Sequence, residues 1–405
     1  MKFYFQTLLY STIIVIACSC KKPYTPPAIT NSGSYLVVEG VINSGQDSTI
    51  VTLSRTVQLS STNTVNPVSG AAVAVQSDQN ASFPLTETSK GRYVTNALNL
   101  DNSRTYRLSI KTADNQQYYS DYVPVLNSPP IDSVFFTTTN NQLNIFSATH
   151  DPTNTVKYYR WDYTETWIIH PKYDSGFISN GDTVLTRLPN QQIYTCWQSD
   201  TSSTIVLGSS AALSKPVINQ NPVTAMAFNS PKIANEYSIL LKQYALSADA
   251  YNFWVNLKKN TEELGSIFDA QPSQVEGNIH SATNPSEPVI GYVSVGSVSI
   301  LRKFITIYQL PAWPSNENYP ADCLITDCLY SYYAPGSIEP VNQVNEFINY
   351  NKGAEYPLIP LAPIQPPGAP KPLGYTASTR ECSDCTLKGT NVEPSFWTYY
   401  PNSGS

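Results

Sequence analysis

Short runs that alternate apolar and polar residues, each closed by a cluster of turn formers, recur along the first third of the chain. Tyr35-Leu36-Val37-Val38-Glu39-Gly40-Val41-Ile42 stops at Asn43-Ser44-Gly45, and comparable runs follow at 48–53, 72–76, 91–95, 106–110 and 117–123. A period of two sends successive side chains to opposite faces of a pleated strand, so each run buries one face and wets the other. Strands at roughly ten-residue spacing, with Asn, Ser, Gly and Asp between them, predict a small antiparallel sandwich. Proline supports this, because 31 prolines and only 2 methionines keep long helices from dominating.

Asn127-Ser128-Pro129-Pro130 is a break that no central strand tolerates, which places a domain boundary there. Within the first domain, Pro67-Val68-Ser69-Gly70-Ala71-Ala72-Val73 followed by Gly91-Arg92-Tyr93-Val94 resembles the transthyretin-like, carboxypeptidase-regulatory sandwich. The expected fold is mainly β: an N-terminal Ig-like or transthyretin-like β-sandwich over 34–126, then a larger β-rich domain over 127–405. The second domain carries a helical insertion and a disulfide-stabilised C-terminal region. Strands are expected at 131–138, 142–147, 156–169, 183–188, 192–197, 204–207, 288–295 and 297–308. Tyr158, Tyr159, Trp161, Tyr163 and Trp167 read as a sheet face packed on a core.

Helical period marks 237–264, where Ser247 is the expected N-cap, Asp249 lies in the first turn, and Tyr251, Trp254, Leu257 and Leu264 share a face. Gly265 is the expected stop. Over 356–373 proline recurs at 357, 360, 363, 366, 367, 370 and 372, predicting an extended surface strap.

The N-terminus bears on compartment. Lys2, the apolar stretch that follows and Val15-Ile16-Ala17-Cys18 read as a secretory signal over 1–17, resembling a bacterial lipobox with Cys18 as the lipidated residue and Cys20 as the competing site. Residues 18–33, with Lys21-Lys22-Pro23-Tyr24-Thr25-Pro26-Pro27, then form an extended tether. Cys323, Cys328, Cys382 and Cys385 make two close pairs. In an exported chain they fit disulfides better than a four-thiolate zinc site, with a cross-link between the two pairs the favoured connectivity.

No residues present themselves as catalytic. The three histidines, His150, His170 and His280, are far apart and in no two-histidine metal spacing, so no metal or cofactor is expected. Phosphate-cradling glycine loops, nucleophile elbows and dinucleotide fingerprints are missing, and Asp151, Asp162, Glu165 and Asp174 near His150 and His170 read as ordinary polar surface. A net charge of −6, with 13% charged residues, argues against a phosphate-tracking partner such as nucleic acid. Tyr is the unusual component, at 28 residues. Exposed Tyr and Trp rings suit a glycan or peptide ligand or the loops of a partner protein, and Tyr330, Tyr332, Tyr333, Tyr399 and Tyr400, in turn-rich sequence, are the candidates for that contact.

Several longer stretches carry a family resemblance: Tyr158-Tyr159-Arg160-Trp161 with Glu165-Thr166-Trp167, Cys196-Trp197, and the run from Tyr237-Ser238-Ile239-Leu240-Leu241-Lys242-Gln243-Tyr244 through Phe253-Trp254 to Leu257-Lys258-Lys259. Gly277-Asn278-Ile279-His280, Pro288-Val289-Ile290-Gly291-Tyr292 and the C-terminal Cys382-Ser383-Asp384-Cys385 with Phe396-Trp397 extend it. The chain resembles Bacteroidota outer-membrane lipoproteins that carry a domain of unknown function and are typically encoded beside TonB-dependent receptors. That resemblance implies a non-enzymatic lipoprotein held in the outer membrane by its lipid, facing the cell surface, and partnered with a TonB-dependent receptor in nutrient capture. A structural or adhesive envelope role is the alternative, and a cryptic hydrolase the remaining one. Lys21-Lys22 departs from the acidic residues that often follow the lipidated cysteine in surface-exported members, which leaves the periplasmic face open.

Overall fold

The computed structural model describes residues 34–57, 65–139, 141–262, 277–310, 313, 317–349 and 357–398. The expected signal, the tether, Cys18, Cys20, Gly265, Tyr399 and Tyr400 lie outside them. The described residues are mainly β, and the period-two runs become strands with alternating burial.

The first nine strands are β1 (Leu36–Asn43), β2 (Thr49–Arg55), β3 (Asn66–Pro67), β4 (Ala72–Ser77), β5 (Ser82–Ser89), β6 (Arg92–Thr95), β7 (Thr105–Lys111), β8 (Gln117–Ser120) and β9 (Val123–Pro124). Leu36, Val38, Val51, Leu53, Val73, Val75, Leu108 and Ile110 point into one aliphatic core, as alternation requires. Alternation alone does not mark β5, because Pro84 interrupts it. Its first half pairs with β4 and its second half with β6, so it crosses from one sheet to the other with a single neighbour at each point. A missing proline N–H costs little there.

The chain then builds β10 (Ile131–Thr139), β11 (Gln142–His150), β12 (Tyr158–Ile169), the hairpin β13 (Phe177–Ser179) and β14 (Val184–Thr186), β15 (Cys196–Thr201), β16 (Val206–Ser209), β17 (Val217–Ala227) and β18 (Glu236–Leu246). Residues 236–246 are therefore a strand, where sequence spacing predicts a helix. Tyr237, Ile239, Leu241, Gln243 and Ala245 are buried in period two, and β18 pairs along its length with β12. The helical part of that prediction holds from the next residue on. Helix α1 (Ala248–Thr261) starts at Ser247, whose Oγ accepts from the Ala250 N–H at 3.1 Å.

Beyond the helix the chain goes back to the first sandwich. Strands β19 (Ile279–Ser281), β20 (Val289–Ile290) and β21 (Ser294–Gly296) pair with β8 and, in parallel, with β1. The completed order is β19-β8-β7-β4-β5-β6-β2-β1-β20, with β3, β9 and β21 attached at its sides. The boundary expected at 126/127 is thus where the chain first leaves the sandwich, which is discontinuous in sequence. The physical reason is the edge of β1: its backbone groups on the side away from β2 need partners, and residues 289–296 supply them. The chain thus leaves the first sandwich twice, at 127 and at 297, and the two outgoing crossovers are stitched together by Leu126 N–H to Val295 O at 2.8 Å and Ser128 N–H to Ser297 O at 3.3 Å. Gly296 is required at this crossing, since a Cβ there would sit 1.9 Å from Leu126 O.

Strand β22 (Val298–Thr306) pairs with β18 and completes the central sheet β15-β12-β18-β22, on which β10-β11-β17 packs. The core between them is aromatic, with Tyr159, Trp161, Trp167 and Tyr237. It also encloses a partnered polar network. Trp161 Nε1 donates to Gln243 Oε1 at 2.9 Å, and Gln243 Nε2 donates to Pro129 O at 2.9 Å and to Thr149 Oγ1 at 3.1 Å, so the linker 128–130 is anchored in the core. Helix α1 lies across both sandwiches, with Tyr251 against Tyr158 at 4.8 Å and Phe253 against Tyr292 at 5.6 Å between ring centroids.

The remaining strands are β23 (Thr326–Leu329), β24 (Ile359–Ile364) and β25 (Gly374–Ser378), followed by the short helix α2 (Arg380–Ser383). They form a three-stranded sheet with β25 in the middle. The proline-rich strap supplies β24, which pairs only with β25; an edge strand is where Pro360 and Pro363 can be accommodated.

Candidate interaction site in the C-terminal sheet

The small sheet has little core of its own: Cys328, Val344, Ile348, Tyr375 and Ala377. Covalent links compensate. Cys323, just before β23, bonds to Cys382 in α2, which is a cross-link between the two close pairs. Cys385 bonds to Cys196 at the start of β15, 189 residues away, and so ties the C-terminal sheet to the central one. The expected set of four is corrected at one position: Cys328 is free and buried, and Cys196 takes the place expected for it. Cys328 lies mid-strand between Asp327 and Leu329, with its side chain in the small core. Burial pushes its thiol up to about 11, with Asp327 adding to the shift, so at neutral pH it is an uncharged core residue and not a nucleophile.

At the Leu329–Gly374 end this sheet projects a tip. Tyr330 N–H donates to Leu373 O at 2.9 Å, and Tyr332 and Val341 exchange backbone hydrogen bonds at 2.9 and 2.8 Å, closing the loop 333–340. Tyr333 is 59% exposed and Ile338 90%, with Tyr330, Val341 and Leu373 also exposed and Tyr332 half-buried. Burial holds the Tyr330 phenol above its ordinary value, and the Tyr375 ring, 6.4 Å away, adds to this. The tip therefore offers neutral aromatic and aliphatic surface with hydroxyl ends. Of the five tyrosines proposed from sequence, the structure brings Tyr330, Tyr332 and Tyr333 together, and Tyr399 and Tyr400 fall outside the described residues. Ile338, Val341 and Leu373 were missed by a search for aromatics. The signal that finds them is an isolated aliphatic residue amid Gly, Pro and Ser, as in Pro335-Gly336-Ser337-Ile338.

The histidines and the buried carboxylates Asp151 and Glu165 are engaged in the fold. His150, His170 and His280 each pair with a different carboxylate, Asp132, Glu317 and Asp121, at 2.8, 3.3 and 3.2 Å. Burial alone would raise the Asp151 carboxyl, but the N–H groups of Val156, Thr153 and Thr155 and the Thr153 hydroxyl hold it far below its ordinary value. Its oxygens are spent on shaping that loop. Glu165 is buried, accepting from Lys232 Nζ at 2.5 Å and Tyr237 OH at 2.7 Å, while Lys232 lies 4.7 Å from the centre of the Trp167 ring. Burial, then the Glu165 charge, keeps the Tyr237 phenol well above its ordinary range. Among the described residues no three His, Cys, Asp or Glu side chains gather in a way that could hold a metal ion. No described helix is long and apolar enough to cross a membrane.

Fold and site together define a class: a β-protein of two interlocked sandwiches with a disulfide-tied C-terminal sheet that exposes an aromatic and aliphatic tip. The chain belongs to the family described as Domain of unknown function (DUF4249), which it matches over residues 21–302. The matched stretch contains both sandwiches and Cys196 and ends inside β22, so the C-terminal sheet, its tip and the Cys382–Trp397 stretch lie beyond it. No curated protein matches the chain.

Proposed function

We propose that this protein is an exported, lipid-anchored component of the outer membrane that docks on a TonB-dependent receptor through its C-terminal tip and assists the capture or uptake of a nutrient. The observation that carries the proposal is the tip itself, exposed at Tyr333 and Ile338 on a sheet whose opposite end is closed by one disulfide and tied to the central sheet by another. Solvent-facing aromatic and aliphatic groups on a braced scaffold lose little conformational freedom on binding, which favours protein contact. Two disulfides accord with an oxidising compartment, and the sequence Val15-Ile16-Ala17-Cys18 accords with lipidation after export. The receptor as partner follows from the family resemblance.

The test is affinity purification of the native protein from outer membranes in mild detergent, with mass spectrometry of what accompanies it. A stoichiometric TonB-dependent receptor, lost from the double variant Tyr333→Ser/Ile338→Ser, is the expected result. Recovery of the protein alone, where a known transporter complex survives the same detergent, overturns the proposal.

A further inference from the structure

A shallow, solvent-open cleft of about 350 Å³ lies where the two outgoing crossovers leave the first sandwich. Four separate stretches line it: Ser44 and Gly45 from the β1–β2 turn, Asn99 and Asn102 from the loop before β7, Asn127 from the first outgoing crossover and Ser297 from the second. Part of their polar capacity is spent on holding the junction. Asn127 Oδ1 accepts from Ser44 Oγ at 2.8 Å and from the Ser297 N–H at 2.9 Å, and the Leu100 N–H donates to Ser44 O at 3.0 Å. The rest is uncommitted: the side-chain amides of Asn99 and Asn102, Asn127 Nδ2 and Ser297 Oγ make no hydrogen bond among the described residues.

The chemistry of these groups limits what they can hold. No charged side chain lines the cavity, so a phosphate, carboxylate or ammonium ligand would shed water without gaining an opposite charge. Asp101, the nearest acid in the lining loop, is turned to its own turn, accepting from the Ser103 N–H at 2.9 Å and Ser103 Oγ at 2.7 Å. Leu100 is the only apolar side chain in the wall, which gives a lipid or an aromatic ligand almost nothing to bury against. What remains is a ligand that is neutral and rich in groups that both donate and accept. Three free amide or amine ends and one hydroxyl, drawn from loops on both sides of the junction, match that requirement. The volume lies at the small end of ligand pockets, which run from about 300 to 1,000 Å³.

We propose that this junction cavity binds a neutral, hydroxyl-rich ligand, a saccharide unit, through Asn99, Asn102, Asn127 and Ser297. The site is separate from the tip and does not depend on the receptor docking proposed above. A peptide backbone also offers donors and acceptors, but each residue brings a side chain for which the wall has no apolar recess.

Isothermal titration calorimetry of the full-length protein tests this, with glucose, galactose, mannose and their neutral disaccharides as probes and glucuronate and triglycine as comparisons. Saturable binding of at least one neutral sugar is expected, with glucuronate weaker. Asn99→Asp and Asn102→Asp, both at exposed positions, each remove amide donors and add a negative charge, and each is expected to weaken binding by about tenfold, the effect of one lost hydrogen bond. Ser297→Ala, a smaller change, serves as a third variant, and unchanged melting temperatures establish that all three fold. The proposal is overturned if no neutral sugar binds saturably, if binding persists undiminished in all three variants, or if triglycine binds more tightly than the sugars. Receptor co-purification plays no part in this readout, so either proposal can fail alone.

Discussion

The first sandwich and the C-terminal sheet solve the same problem in opposite ways. Eighteen buried apolar residues form the core of the first, and among the described residues it contains no cross-link. Five form the core of the second, and each of the two disulfides has an end beside it. A sheet that cannot bury enough apolar surface must limit the freedom of its unfolded chain by other means, and covalent closure does so. The comparison teaches that stability in this chain is local in origin: hydrophobic burial at one end, chain constraint at the other.

Removing the constraint is the most severe way to break that comparison. Reduction of both disulfides is expected to cost about 2–5 kcal/mol for each. Hydrogen exchange should show amides of β23 and β25 losing protection while β1, β2 and β7 keep theirs. Equal loss at both ends would mean that the cross-links stabilise the whole chain. The complementary change is Leu53→Ala, which removes a fully buried side chain from the first core and is expected to cost about 3 kcal/mol. Here the protection lost should be that of β1 and β2, with the C-terminal sheet unaffected.

A smaller effect sharpens the C-terminal side. Burial favours the protonated form of Asp384, but the Thr386 hydroxyl, Arg380 and the Thr386 N–H outweigh it and hold the carboxyl below its ordinary value. A depressed folded value means the contribution is fully present above the ordinary carboxylate range, about pH 4, and is lost as pH falls through the lower folded value. Acid titration followed by exchange should therefore loosen α2 and its neighbours below about pH 4. Asp384→Asn should reduce that acid sensitivity and cost about 1 kcal/mol at neutral pH. Smallest of all, Ile338→Ser should change stability by less than about 0.5 kcal/mol, because the side chain contacts solvent and not the core. A larger loss in a thermal melt would show that the tip is part of the sheet's packing and unavailable as a contact surface.

The first sandwich was legible because its strands bury one face and wet the other, so β1, β2, β4 and β7 announce themselves by period two. Helix α1 was legible from Ser247 and the apolar positions after it. The strand β18 was not, for a physical reason: it is buried on much of both faces, so Ile239, Leu240 and Leu241 stand side by side, and Tyr237, Leu241 and Tyr244 also satisfy a period near 3.6. Periodicity cannot separate a helix from a strand packed on two sides. The return of 279–296 to the first sheet was hidden because strand runs carry no label for their partner. The Cys196–Cys385 link was hidden in the same way, since 189 residues of sequence separation say nothing about proximity in space. At the candidate site the aromatic half of the tip was legible in Tyr330, Tyr332 and Tyr333. The aliphatic half depended on knowing that a three-stranded sheet this small leaves Ile338 and Leu373 without cover.

The discontinuity of the first sandwich also sets a schedule for synthesis. Ribosomes deliver β1 early, but β20 and β21, which cover its outer edge, come some 250 residues later. Until then an apolar strand waits with one row of N–H and C=O groups unpaired, the geometry on which chains associate edge to edge. Nascent chains halted before residue 289 should accordingly be digested within β1 and β2 by a protease that leaves the finished molecule intact, and should depend on a holding chaperone that the finished molecule does not need.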